Sequence, residues 1–258
     1  MTEALATEAA LTPPLPPCLV MDVLWEAFTE EGAAAFEESR SSDALSFWRV
    51  AEQMAVAFAD SDPRRGASLA NLAAAMDVSF TDDPQPIEAR YRHALACWDQ
   101  THDWIERMIP DHKPHSSLYH HRLERKYAGA YAEIARRGYR RLAEGGRAAC
   151  LGNLAGLLNR LGRTDEAESL YRDAVAVREP ALGARDVGTM YLFETLAALL
   201  AASGRADDAE AARAKAEAIA ANHPLTPRRR WRSEKPVRMS DDRRLLAAVY
   251  LTPVIRRR

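Results

Sequence analysis

Two glycines set 42 residues apart, Gly162 and Gly204, stand in matching surroundings, and that recurrence constrains the chain more than any other feature. Before Gly162 come Leu151, Leu154, Ala155 and Leu158 at spacings of three and four, one apolar face of a helix. After it come Ala167, Tyr171 and Ala174, the face of a second helix. Before Gly204 come Leu196, Ala197 and Leu200; after it come Ala209 and Ala216. A glycine between two such faces can adopt the left-handed conformation that stops a helix. Thr164 is the expected N-cap of the second helix, with Asp165 and Glu166 at its positive end. One helical hairpin of this kind cannot bury its apolar face alone, so a recurring hairpin predicts a stacked solenoid.

The units "NLAGLLNRLGRTDEAESLYRDAVAVRE" and "TLAALLAASGRADDAEAARAKAEAI" resemble tetratricopeptide repeats, in the 42-residue form of kinesin light chain. The upstream chain is similar in two further places. Gly32, Ala44, Trp48 and Ala51 fill small and aromatic positions of one unit. Leu69, Leu72, Ala73 and Met76, then Ile87, Tyr91 and Ala94, fill those of another, with Pro84 and Pro86 where the glycine turn would be. A degenerate unit using Ala135, Tyr139 and Leu142 is expected between them and the C-terminal pair. The resemblance implies an all-α, right-handed helical-hairpin solenoid of about four to five repeats with extended termini. The expected organisation is a proline-rich arm (1–20), N-terminal repeats (21–110), an irregular long-helix repeat (111–148), C-terminal repeats (149–224) and a basic tail with a short capping or docking helix (225–258).

Composition agrees with helices. Alanine is abundant, and there are only 12 glycines in 258 residues. The net charge of −2 conceals an asymmetry. From Leu225 onward there are eleven Lys/Arg against three Asp/Glu, so an acidic body carries a basic tail. Three scattered cysteines without a CxxC pair, no secretory signal pattern and no apolar run of spanning length point to a cytoplasmic protein. The high Ala and Arg usage fits a GC-rich bacterial genome.

No HExxH, GxSxG or glycine-rich phosphate loop occurs, so the chain reads as non-catalytic, with no cofactor. His112, His115, His120 and His121 cluster in ten positions, but His120 and His121 are adjacent and point about 100° apart on a helix. A metal-dependent protein built on His112–His121 is therefore the weaker alternative, as is nucleic-acid binding through the Arg-rich tail.

The resemblance instead implies a partner protein held in the concave groove lined by the first helix of each repeat. It places Asn71 and Asn153 there, each before a Leu-Ala pair, with Asn159, Arg160, Tyr191 and Glu194 as further groove candidates. An asparagine amide both donates and accepts, which suits capture of a peptide backbone. Lysines of a carboxylate clamp are absent from the corresponding positions, which argues against a co-chaperone. Arg136 and Arg140 on a basic ridge, and Arg228, Arg229, Arg230 and Trp231 in the tail, are candidate contacts for an acidic patch on that partner.

Overall fold

The computed structural model describes residues 17–79, 83–108, 131–182, 186–222 and 252–255. Its eight described helices are α1 (Pro17–Glu37), α2 (Ser41–Ala55), α3 (Pro63–Val78), α4 (Gln85–Met108), α5 (Tyr131–Arg160), α6 (Thr164–Leu182), α7 (Val187–Ala202) and α8 (Ala206–Asn222). Each packs on the next, giving hairpins α1/α2, α3/α4, α5/α6 and α7/α8, and α3 also touches α5, as stacked hairpins require. The described chain is all-α, in sequential helical hairpins.

Three of the four hairpins close with one turn. After α5 the Gly162 N–H bonds the Asn159 carbonyl and the Arg163 N–H bonds the Leu158 carbonyl, with φ of +77° at Gly162. After α7 the same pair of bonds runs from Gly204 to Ala201 and from Arg205 to Leu200. This is the Schellman motif. It recurs after α1, where Ser39 takes the left-handed position at φ 61° and the bonds run from Ser39 to Phe36 and from Arg40 to Ala35.

In each case the arginine after the left-handed residue opens the following helix. The carbonyls of Arg40, Arg163 and Arg205 accept the first helical bonds, from Ala44, Ala167 and Ala209. Their guanidinium groups pair with Asp43, Glu166 and Asp208, three residues on. Arg163, not the expected Thr164, therefore occupies the N-cap position. Carboxylates in the first turn already favour the helix, and the arginine fixes them in place.

The helix α1 begins at Pro17, where proline is preorganised for a first helical turn and needs no N–H partner. The helix α5 runs unbroken for 30 residues across positions 148 and 149, so Ala135, Tyr139 and Leu142 stand in the leading half of the helix that opens the next hairpin. Gly145 and Gly146 invite a break, but packing holds both helical. The Gly145 carbonyl accepts the Arg178 guanidinium at 2.8 Å. The Trp98 ring lies so close to Gly146 that a Cβ there would sit 2.7 Å from it, and a Cβ at Gly66 on α3 would sit 2.8 Å from the same ring. Trp98 is thus a wedge between α3 and α5.

The core is continuous from α3 to α8, with Tyr91, Leu154, Leu158, Tyr171, Leu192 and Leu196 buried in it. At the N-terminal end Trp25 donates to Ser68 at 2.8 Å, tying α1 to α3. Gly32 faces the Trp48 ring, which stacks with Phe36 at 5.3 Å. No described helix is long and apolar enough to cross a membrane.

Candidate peptide-binding face

The helix α5 lies between α3 and α7. Gly152 allows this: with no side chain of its own, it lets Leu192 of α7 close onto α5. The next residue, Asn153, is 1% exposed. What covers its amide is the chain's own C-terminal segment. The Asn153 Nδ2 donates to the Pro253 carbonyl at 2.8 Å, and the Ile255 N–H donates to Asn153 Oδ1 at 2.9 Å. Both halves of one amide therefore bracket Val254. Val254 packs on the core, Thr252 is buried, and Pro253 and Ile255 are half-buried.

Around this contact the sequence-expected residues divide. Arg160 lies two turns after Asn153 on the same face of α5 and pairs with Asp77 of α3. The Asp77 side chain is almost wholly buried, whereas that of Arg160 is 43% exposed. Burial pushes the Asp77 carboxyl up, and the Arg160 charge only partly offsets it. Tyr91 and Tyr171 feel both members of the pair, but burial dominates and raises both phenols.

Asn159 does not join this site. It sits about 120° around α5 from Asn153, exposed, with its carbonyl committed to the Gly162 turn. Asn71 is 2% exposed, and its Oδ1 has no donor among the described residues. On α7, Tyr191 is half-buried and Glu194 exposed. Arg136 and Arg140 fall within α5, but their side chains lie outside the described residues, as do His112–His121 and Arg228, Arg229, Arg230 and Trp231. Among the described residues no group of His, Cys, Asp or Glu is arranged to hold a metal.

The sequence led to the expectation of a capping or docking helix in the tail, but not of a contact between residues 252–255 and Asn153. Its signal is short: Pro253 ends the apolar helical pattern, and Val254–Ile255 is a β-branched pair that favours extended backbone.

Residues 146–222 match the tetratricopeptide repeat family model. The match takes in the second half of α5 with α6, α7 and α8, the two hairpins that share the glycine turn. A search of curated proteins returned no match. The tetratricopeptide repeat is a protein-interaction module whose stacked hairpins present an extended surface. Asn153 lies within the matched repeats, on the first helix of its hairpin.

Proposed function

We propose that the protein is a non-catalytic adaptor or accessory subunit that captures an extended segment of another protein on the face around Asn153. The observation that carries this reading is the Asn153 amide: it donates to one backbone carbonyl and accepts from the backbone N–H two residues on. Such a bracket recognises main chain in extended form and leaves side-chain selection to the neighbouring surface. Asn71, at the equivalent place before its own Leu-Ala pair, is the second candidate backbone contact; its Oδ1 has no donor among the described residues. The 42-residue spacing of Gly162 and Gly204 and the Asn-Leu-Ala triplets support a kinesin light chain-like subclass.

The basic stretch from Arg228 to Arg258 is the second contact, directed at an acidic patch on the partner. Two weak contacts on one chain raise apparent affinity through effective concentration.

Co-purification from the native cell tests this reading, using wild type, Asn153→Ala and Arg160→Glu matched for thermal stability. A stoichiometric protein held by wild type and lost with Asn153→Ala supports it. A partner retained equally by both variants sinks it.

A further inference from the structure

The bracket at Asn153 has a chemical grammar. It uses the carbonyl of the residue at 253 and the N–H of the residue at 255. Proline is admissible at 253, since its missing N–H is not called on, and inadmissible at 255. Residues alternate in an extended segment, so the side chain between the two bonds points opposite to its neighbours. That middle residue, Val254, is the one packed on the core. A β-branched residue there favours the extended backbone that the bracket needs. Thr252, just ahead, is 1% exposed and its hydroxyl has no partner among the described residues, so its fit is one of shape.

Among the described residues, two hydrogen bonds to the Asn153 side chain and the packing of Val254 hold the segment. Another extended segment of the same pattern can make the same contacts. Resting on the reading above, we propose that the Asn153 face selects extended segments with a β-branched residue between the bonded carbonyl and N–H, a non-proline residue at the N–H position and proline tolerated at the carbonyl position. Thr252–Ile255 is this chain's own copy of that ligand. It competes in cis, so a partner carrying the pattern binds by displacing it. Tethering gives the internal copy an effective concentration on the order of 1 mM, enough to mask the face from a weak competitor and not from a strong one.

The test uses a fluorescent peptide of residues Leu251–Arg258, titrated against the full chain and against full-length Val254→Asp. The variant's own segment cannot bury a carboxylate on the core. Unmasking is expected to tighten peptide binding about tenfold or more. A peptide N-methylated at the Ile255 amide lacks the required donor and is expected to lose about tenfold or more, with no change made to the protein. Adding Asn153→Ala to Val254→Asp is expected to give the same loss, at unchanged circular dichroism.

Equal binding to wild type and Val254→Asp overturns the proposal, as does indifference to N-methylation. Equal binding of a scrambled peptide that keeps its three arginines would mean simple charge attraction and also overturns it. A wild-type dimer that Val254→Asp converts to monomer overturns the cis competition. If the peptide fails while Asn153→Ala still loses a co-purifying protein, the pattern is wrong and the adaptor reading survives.

Discussion

Arg178, near the end of α6, holds Asp186, the N-cap of α7, through two bonds: Nε to Oδ2 at 2.7 Å and Nη2 to Oδ1 at 3.3 Å. The same guanidinium reaches back to the Gly145 carbonyl of α5 and lies against Gly188 of α7. Asp186 in turn accepts from the Thr189 N–H at 2.7 Å and the Thr189 hydroxyl at 2.9 Å. One side chain therefore couples three helices across the joint between two hairpins. Trp98 fills the corresponding place one hairpin earlier, between Gly66 and Gly146. A charge network and an aromatic wedge solve the same stacking problem.

Arg178→Ala strands a mostly buried carboxylate and leaves the Gly145 carbonyl without this donor. Breaking such a pair from one side costs about 3 kcal/mol, read as a lower urea midpoint at neutral pH. The pH dependence follows from Asp186. Burial pushes its carboxyl up, but Arg178 and Thr189 together outweigh burial and hold it below its ordinary value. The folded value is thus depressed relative to the unfolded one. The stabilisation is present above the unfolded carboxylate range and is lost as pH falls through the folded value. Wild type should lose more stability than Arg178→Ala between neutral pH and about pH 3. Parallel pH profiles for the two proteins would contradict this.

Gly146→Ala places a methyl group against the Trp98 ring at 2.7 Å. The ring is confined on its other side by Gly66, so the expected cost is about 1–3 kcal/mol. Trp98→Phe in the same chain makes room. The double variant should therefore cost measurably less than the sum of the single ones, a coupling that a double-mutant cycle in urea detects. Strict additivity would remove Trp98 as the cause.

Tyr91→Phe removes a hydroxyl that is fully buried and has no hydrogen-bond partner among the described residues. An unpartnered buried polar group is a cost, so the variant should be as stable as wild type or more so by up to about 1 kcal/mol. A clear loss of stability would reveal a hydrogen bond that this hydroxyl makes in solution.

Cys97 and Cys150 are both buried, and burial raises both thiols; Cys150 also donates to the Tyr91 carbonyl. Thiolate, not thiol, attacks maleimides. Neither residue should be labelled in the native protein, and both should be labelled promptly in denaturant, with peptide mapping as the readout. Native labelling of Cys150 would mean that α4 and α5 separate readily.

The hairpins were legible in the sequence wherever a local rule sets the structure. Gly162 and Gly204 had to be left-handed because only glycine takes that conformation without penalty, and the apolar spacing on either side fixed the two helical faces. The Ser39 turn was less visible, since serine carries no such signal; its mark is the following Arg40 with Asp43 three residues on. The Asn-Leu-Ala triplet at 153–155 singled out Asn153 on the first helix of its hairpin, and the fold sets its amide on the backbone of residues 253 and 255. Asn159 lies only six residues from Asn153 along the chain, yet on a helix six residues turn the side chain about 120° away.

The hairpin, its turn and its recurrence can be read along the chain, since all depend on residues within one or two helical turns of each other. That α5 continues through Gly145 and Gly146 is a matter of packing, because the groups that hold those glycines helical, Arg178 and Trp98, lie in other helices. Packing also sets Asn153 against Pro253 and Ile255, about 100 positions away. Contacts at that separation leave no periodicity along the chain. They exist because stacking brings α3, α5 and α7 side by side and forms a surface that no single repeat contains.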